Sequence, residues 1–229
     1  MTDEGAAPSP AAARLETVRA GIDAAARLTG RGGADIRLIA VSKTQGPDAI
    51  TPLIAAGQTI FGENRVQEAQ AKWTALREAH PGVELHLVGQ LQSNKAAEAV
   101  ALFDAIHSLD RPSLLAALAK AMDAAGKRLP CYLQVNIGAE TQKGGCAIAD
   151  VPALLAQARA ADLPVIGLMC VPPAKVEPAP YFALLAKIAR DEGVERLSMG
   201  MSGDYEIAIM LGATDVRVGT ALFGERAAG

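Results

Sequence analysis

Lys43 is the residue of this sequence whose position points most clearly to chemistry. It closely follows the apolar run Leu38–Val41, which has the composition of a buried strand. A desolvated amine at the rim of an apolar interior is a nucleophile toward aldehydes. A lysine at a strand end can equally extend its amine into solvent along a long aliphatic stem. The residues alone leave both alternatives open.

A second group of chemically useful residues lies near the C-terminus. Ser202 precedes a predicted helix that begins near Asp204, and Gly219-Thr220 follows another apolar run. Hydroxyl groups and backbone N–H groups at helix starts are typical phosphate ligands. The alternative is ordinary helix capping by Ser202 and a tight turn at Gly219. In a phosphate site, the acidic Asp204 and Glu206 must face away from the ligand.

Arg217 is the third candidate, because it lies inside the apolar run Asp215–Gly219. Alternation along a strand puts Arg217 and Gly219 on one face, and the other face holds Val216, Val218 and Thr220. An inward arginine requires an acceptor, either a ligand atom or a buried carboxylate. An outward arginine would pair with an acid on a helix, and the pattern does not choose between the two.

These candidates belong to a regular alternation of strands and helices. Short apolar runs predict strands, and Ala/Leu-rich stretches that often begin at Pro and end near Gly predict helices. The predicted strands are Arg37–Lys43, Thr59–Glu63, Leu85–Gly89, Asp104–Ser108, Cys131–Ile137, Pro164–Cys170, Arg196–Gly200 and Asp215–Gly219. The predicted helices are Ala11–Leu28, Pro47 to about Gly57, Val66–Ala79, Asn94–Leu102, Pro112–Ala125, Val151–Ala161, Ala179–Asp191 and Asp204–Leu211.

Eight strand–helix units predict an α/β protein with a single closed (β/α)8 TIM-type barrel, for which roughly 250 residues is typical. Only ten residues follow the eighth run, so we expect Ala11–Leu28 to occupy the eighth helix position. A doubly wound open sheet is the alternative. We expect residues 1–10 to be a disordered tail and residues 11–229 to be one barrel domain.

In such a barrel, functional residues gather at the C-terminal ends of the strands. Polar residues and glycines do follow the predicted strands at that end. Besides those above they include Asn64, Asn136, Ser198 and the residues around Met201. The polar loop 140–145 is either a lid over this end or a surface turn. The layout indicates a small-molecule site.

Composition excludes several classes of function. The net charge is −3 and aromatic residues make up 3%, which disfavours nucleic acid and anionic membranes as partners. No apolar run has the length of a membrane span, and the first ten residues lack the features of a signal peptide. We therefore expect a cytoplasmic protein.

Metal and hydrolase chemistry are also disfavoured. The three cysteines form no CxxC pair, and the three histidines show no metal-binding spacing. Walker A, GxGxxG and GxSxG patterns do not occur in the sequence. We expect no metal.

Several stretches, taken in order along nearly the whole chain, carry a resemblance to a known family. The chain resembles the pyridoxal phosphate homeostasis proteins, single-domain proteins similar to the N-terminal barrel of alanine racemase (PLP fold type III). One departure is Gln90, where relatives often carry a smaller or apolar residue, and another is the short stretch 171–180. The matching stretches are Ala40–Thr44, Phe61–Lys72, His86–Lys95, His107–Arg111, Gln134–Gly145, Gly167–Met169 and Leu197–Arg226.

The resemblance implies a set of site residues for pyridoxal 5′-phosphate (PLP), the vitamin B6 cofactor. It implies that Lys43 carries PLP as a covalent aldimine, and that Arg217 faces the pyridine nitrogen. Lys143 matches a lysine of the family's mobile loop. The other implied binding residues are Ser202, Gly219 and Thr220 at the phosphate with backbone help near Met201, Asn64 and Asn136 near the ring or its 3′-oxygen, and Ser198.

The resemblance further implies a carrier for intracellular PLP homeostasis without a dedicated catalytic residue. Alanine racemase has an additional domain that brings an opposing base, and we expect no such domain here. PLP-dependent recipient apo-enzymes are the implied partners, and the protein is expected to be a monomer or a weak homodimer. One alternative is a weak PLP-dependent racemase or lyase. Another is a phosphate-binding barrel isomerase without PLP.

Overall fold

Eight parallel strands close into a barrel in the computed structural model, which describes residues 9–224. Each strand pairs with its neighbours in sequence, and β8 pairs with β1 to complete the ring. The predicted (β/α)8 barrel is therefore confirmed, and the alternative of an open sheet is wrong. The strands are β1 Arg37–Val41, β2 Ile60–Glu63, β3 Glu84–Leu87, β4 Ala105–Leu109, β5 Cys131–Gln134, β6 Val165–Met169, β7 Arg196–Ser198 and β8 Asp215–Val218.

The helices form the outer ring. As predicted, the N-terminal helix α1 fills the eighth position, because it packs against α2 on one side and against α8 and α9 on the other. The sequence pattern did not predict α9, which is a single short turn. The helices are α1 Pro10–Arg27, α2 Pro47–Ala55, α3 Val66–Ala79, α4 Ala96–Leu102, α5 Pro112–Ala125, α6 Val151–Ala160, α7 Ala179–Glu192, α8 Tyr205–Met210 and α9 Thr220–Phe223.

The start of α1 corrects the boundary of the predicted tail over residues 1–10. The Ser9 hydroxyl accepts a hydrogen bond from the Ala12 N–H at 3.2 Å, and Pro10 is the first helical residue. Serine at the cap and proline in the first turn are both favoured at helix starts. The rest of the predicted tail lies outside the described residues. Within residues 9–224, no helix is both long and apolar enough to span a bilayer.

The strands separate an apolar layer from a more polar interior. Between strands and helices, large apolar side chains are fully buried, among them Phe61 and Trp73, whose ring centroids are 5.0 Å apart. The interior of a TIM barrel is ordinarily filled by bulky apolar side chains. Here it holds hydrogen-bonded polar groups, including the pair Tyr132 Oη and Asp215 Oδ2 at 2.9 Å. Because β5 and β8 are not neighbours in the ring, this contact crosses the interior.

Candidate functional site

A cavity of about 410 Å³ opens at the C-terminal ends of the strands. Its volume is within the range of small-molecule sites. The predicted site residues Lys43, Asn64, Met201, Ser202, Arg217, Gly219 and Thr220 all line it, together with Val41, Val88, Val171 and Gly203. Asn136 and Ser198 are not among its lining residues.

Lys43 reaches this cavity from a tight turn after β1. The Gln45 N–H donates to the Ser42 carbonyl at 3.0 Å, so the chain reverses around Lys43 and Thr44. Thr44 has a φ of 63°, a left-handed conformation that costs about 1 kcal/mol or more for a β-branched residue. The Lys43 side chain is exposed, so the expected desolvation of its amine is not observed. The structure favours the alternative in which the lysine extends into solvent at the rim.

Two charged residues of α3 hold this turn in place. Glu68 accepts a hydrogen bond from the Thr44 N–H. The Lys72 amine donates to the Ser42 carbonyl at 2.7 Å and to the Gln45 carbonyl at 3.0 Å. The backbone that carries Lys43 is therefore fixed by hydrogen bonds from both sides. Sequence reasoning missed this role, although Glu68 and Lys72 have the i,i+4 spacing that puts them on one helix face.

Glu63 completes the support beneath the turn. Its side chain is fully buried, and its Oε1 lies 2.9 Å from the Lys72 amine. The same oxygen accepts from the Ser42 hydroxyl at 2.5 Å and from the Trp73 indole N–H at 2.9 Å. A buried carboxylate is stable only with such partners. Lys72 therefore links a buried charge to the turn that presents Lys43.

The wall formed by the loops after β7 and β8 offers hydrogen-bond donors. The Ser202 hydroxyl oxygen accepts from the Gly219 N–H at 3.2 Å and from the Ala221 N–H at 3.3 Å. With both lone pairs occupied, its own O–H is left to donate. The N–H groups of Ser202, Gly203 and Thr220 have no acceptor among the described residues. This wall suits an anion.

The loop after β7 contains the backbone donors expected near Met201. The Met201 N–H donates to Asp204 Oδ1 at 2.6 Å, so the N–H groups of Ser202 and Gly203 are the ones left without an acceptor among the described residues. Asp204 does not line the cavity. As the phosphate interpretation requires, its carboxylate is thus directed to the loop backbone. Close packing also explains Gly219, where an added Cβ would lie 3.3 Å from the Val41 carbonyl oxygen.

Arg217 faces inward and is 5% exposed. Its two terminal nitrogens donate to Ser198 Oγ at 2.7 Å and to the Cys170 carbonyl at 2.9 Å. Burial lowers the pKa of Arg217 from its ordinary value, but an arginine remains charged in proteins. These two acceptors are neutral, so of the two acceptors predicted for an inward arginine, a ligand atom or a buried carboxylate, the carboxylate is not observed. Ser198 is fully buried beneath Arg217 and holds the arginine instead of lining the cavity.

Asn136 lies at the rim, in a neighbouring cavity of about 260 Å³. Its amide donates to the Glu140 carbonyl at 2.8 Å and accepts from the Glu140 N–H at 3.1 Å. The Lys143 amine donates to the Pro172 carbonyl at 2.8 Å and lies 2.6 Å from Glu140 Oε2. Gln90 donates to Gln134 at 2.6 Å beside the same loop. The loop 140–145 is therefore docked on the rim.

Other reactive groups do not form a second centre. Within residues 9–224, no group of three His, Cys, Asp or Glu side chains could hold a metal ion. Burial raises the pKa of each thiol to about 12, so that all three stay protonated. The three are Cys131, Cys146 and Cys170, each without a disulfide partner.

The chemistry of the lining residues defines what fits the cavity. Lys43 and Arg217 are the ionisable side chains among the described lining residues, and no carboxylate is among them. One is an amine on a fixed turn, and the other is a cation held in place. Together with the N–H and O–H donors of the loops after β7 and β8, they suit a compact anion that carries a group reactive toward amines.

Comparison with known proteins identifies relatives that cover nearly the whole chain. Residues 14–227 match the family described as alanine racemase, N-terminal domain. The chain is 40% identical over 224 residues to the pyridoxal phosphate homeostasis protein of Pseudomonas aeruginosa, covering 95% of this chain and 96% of the relative. It is 39% identical over 224 residues to the protein of the same name from Escherichia coli, covering 93% and 95%.

Solved structures agree with this similarity. PipY of Synechococcus elongatus, determined with PLP bound, is 37% identical and has a TM-score of 0.81, covering 93% of this chain and 100% of PipY. Its structure without PLP gives a TM-score of 0.83. A histidine racemase from Leuconostoc mesenteroides is 18% identical with a TM-score of 0.69, covering 95% of this chain and 58% of the racemase. At that identity the likeness extends to the fold alone.

Proposed function

The chain belongs to the pyridoxal phosphate homeostasis protein family, within the family of the alanine racemase N-terminal domain, and we propose that it binds PLP and serves in PLP homeostasis by storing, buffering or delivering it. The observation that carries this proposal is one cavity lined both by Lys43 and by the donor groups of Ser202, Gly203 and Thr220. PLP supplies an aldehyde for an amine and a phosphate for such donors.

We assign each side chain a role from its contacts. Lys43 is the covalent attachment point, because it lines the cavity from a turn that hydrogen bonds hold in place. The Ser202 hydroxyl, with both lone pairs engaged, donates to the phosphate, as do the neighbouring N–H groups. Arg217 presents its cation to the ring nitrogen. Asn64 lines the same cavity and contacts the ring, while Asn136 acts through the rim loop.

A carrier is favoured over an enzyme by what the cavity lacks. PLP catalysis usually depends on a ring nitrogen kept protonated by a carboxylate, and the described lining residues contain none. An arginine neither accepts that proton nor serves as a second base. Lys43 is thus the one acid–base side chain among them. A weak racemase or lyase activity at Lys43 is the second candidate, because alanine racemase-like enzymes share the fold.

The recipients of PLP, the compartment and the oligomeric state belong to the same proposal. PLP-dependent apo-enzymes are the recipients, and the cytoplasm is the compartment in which they and PLP meet. The single barrel, which begins with α1 at Pro10, is the functional unit, as a monomer or a weak homodimer. Neither nucleic acid nor a membrane is needed as a partner, in keeping with the net charge of −3.

The decisive experiment traps PLP on the purified protein. The protein is incubated with PLP, reduced with borohydride and digested, and the modified peptide is identified by mass spectrometry. We expect one PLP adduct on Lys43, absent from Lys43→Ala. Lys143→Ala is the matched control, because it removes a lysine from the adjoining cavity, and we expect it to retain the adduct.

Two results would contradict the proposal. Wild-type protein that acquires no adduct and shows no visible absorbance band with PLP does not bind it covalently. An adduct that persists in Lys43→Ala places the attachment elsewhere. Turnover of a free amino acid, lost with Lys43, would favour the enzyme. Binding of sugar phosphates without any chromophore would favour the isomerase.

A further inference from the structure

A row of buried polar side chains crosses the interior of the barrel below the cavity. His86 Nδ1 lies 3.0 Å from His107 Nε2, and His107 Nδ1 lies 2.9 Å from Ser198 Oγ. Ser198 Oγ in turn accepts from Arg217 at 2.7 Å. The four side chains belong to β3, β4, β7 and β8, and each is at most 5% exposed. We call these four residues the interior relay.

The interior relay reaches the opposite end of the barrel through Glu84. Glu84 is the first residue of β3, and its Oε2 lies 3.4 Å from His86 Nε2. Residues 84 and 86 share one face of the strand. The Glu84 side chain is half exposed at the N-terminal rim, where it also pairs with Arg37. Hydrogen bonds thus connect this carboxylate to the arginine in the cavity.

The chemistry of its two ends sets the direction of every hydrogen bond in the relay. Arginine only donates, and an ionised carboxylate only accepts. The His86 hydrogen bond, together with the charge of Arg37, outweighs burial and lowers the pKa of Glu84, so this end stays ionised. A His86 that carries one ring proton therefore donates from Nε2 and accepts at Nδ1. His107 then donates from Nε2 to His86, and its Nδ1 accepts a hydrogen bond from the Ser198 hydroxyl.

The reverse direction is disfavoured. If His107 donated to Ser198 from Nδ1, its Nε2 would accept from His86 Nδ1. A neutral His86 would then turn the lone pair of Nε2 toward the Glu84 carboxylate. Burial, together with the charges of Arg217 and Arg37, lowers the pKa of His107 well below its ordinary value. A neutral His107 can supply only one N–H, so the two directions exclude each other.

We propose that His107 and His86 are positioning residues for Arg217, so that a carboxylate at the far rim governs how the arginine meets PLP. The inference rests on the proposed function. Because the Ser198 hydroxyl donates its hydrogen bond to His107, the lone pairs of the serine oxygen are left to accept from Arg217. With Ser198 and the Cys170 carbonyl both accepting, the guanidinium has one orientation, and its remaining N–H donors face the cavity.

The first test measures the relay without PLP. Nitrogen-15 NMR of the imidazole groups distinguishes the two neutral tautomers. In wild-type protein we expect His107 to be protonated at Nε2 and deprotonated at Nδ1. In Glu84→Gln we expect this single tautomer to give way to a mixture, because an amide can donate as well as accept. Arg37→Gln is the matched control, because it removes the ion pair of Glu84 and leaves its carboxylate.

The second test measures PLP binding at the cavity. For Glu84→Gln we expect a PLP dissociation constant about fivefold higher, the effect of weakening one buried hydrogen bond, and a changed pH profile of the visible absorbance. His107→Phe removes both ring nitrogens and should weaken binding by at least as much. His107→Asn keeps an acceptor at the position of Nδ1 and should restore most of the loss.

The outcomes separate this proposal from the function on which it rests. If wild-type protein binds no PLP, the proposed function fails, and the tautomer measurement still decides the direction of the relay. If wild-type protein binds PLP and Glu84→Gln matches Arg37→Gln in NMR spectrum, affinity and pH profile, the positioning role is wrong. That comparison does not depend on the fold of the His107 variants, because Glu84 lies at the solvent-exposed rim.

Discussion

The two ionisable side chains of the cavity, Lys43 and Arg217, are held in opposite ways. Lys43 has an exposed side chain with no hydrogen bond to any described residue, but its turn is fixed by Glu68 and Lys72. Arg217 is buried, and its own terminal nitrogens are fixed by Ser198 and Cys170. At Lys43 the backbone is therefore fixed, whereas at Arg217 the charged group itself is fixed.

The difference follows from what each residue has to do in the proposed function. An amine that attaches and releases a ligand needs a side chain that can move, presented from a backbone that does not. A cation that faces one ring atom needs a fixed orientation, because its effect depends on distance and direction. The fold tolerates backbone strain at Thr44 in the turn that presents Lys43. It also tolerates desolvation of the Arg217 guanidinium, which keeps that group in one orientation.

The largest expected effect comes from breaking the support of the Lys43 turn. Lys72→Met leaves the buried Glu63 carboxylate without its cation, and we expect a loss of about 3 kcal/mol in the free energy of unfolding. Urea denaturation measures it. Lys95→Met removes a surface ion pair with Glu98 and should cost less than about 1 kcal/mol. Equal losses in the two variants would contradict the role of Lys72.

A smaller effect separates attachment from orientation. Arg217→Gln removes the fixed cation, and we expect the PLP dissociation constant to rise about tenfold, the effect of one hydrogen bond from a charged group. Covalent trapping at Lys43 should persist. Arg196→Gln is the control, because Arg196 lies at the N-terminal end of β7, near Asp215. Loss of the Lys43 adduct in Arg217→Gln would show that attachment at Lys43 depends on orientation by Arg217.

The smallest effect is the pH dependence of the Lys43 turn. Burial raises the pKa of Glu68, but the Thr44 N–H and the Lys72 charge outweigh it, so the net pKa lies below the ordinary 4.5. A carboxyl with a lowered folded-state pKa stabilises the protein above its unfolded pKa, and this contribution is lost as pH falls through the folded value. Glu68→Gln should therefore destabilise the protein near neutral pH and lose less stability in acid. Urea midpoints at neutral and acid pH measure the difference. A variant with the wild-type acid dependence would contradict it.

Much of the barrel could be predicted because its signals are local. The helices Val66–Ala79 and Pro112–Ala125 have the predicted bounds, since apolar spacing and proline position depend on nearby residues. Most strands end one to three residues earlier than predicted, because the last residues of the apolar runs belong to the loops that follow. Strand alternation left Arg217 either inside the barrel or facing a helix, and the structure confirms the position inside the barrel.

The parts of the site that were missed depend on contacts between distant segments. Lys72 supports the Lys43 turn only because α3 packs beside the end of β1. Ser198 was expected in the binding set but lies beneath Arg217. His86 and His107 were considered only for metal binding, and nothing in their spacing indicates that they meet across the interior. Asn136 follows β5 at the end of the barrel where the site was expected, but its amide donates to the Glu140 carbonyl in the loop 140–145.

The sequence by itself determined the order and type of the elements, the likeness to the PLP homeostasis proteins, and the residues that could serve as amine and anion ligands. Only the tertiary structure decided that Lys43 is solvent-exposed on a fixed turn, that Arg217 rests on neutral acceptors, and that one row of hydrogen bonds joins it to Glu84. The physical reason is that periodicity specifies which face of its own element a residue occupies. Closure of the barrel decides which faces meet, and hydrogen bonds act only over the short distances that closure creates.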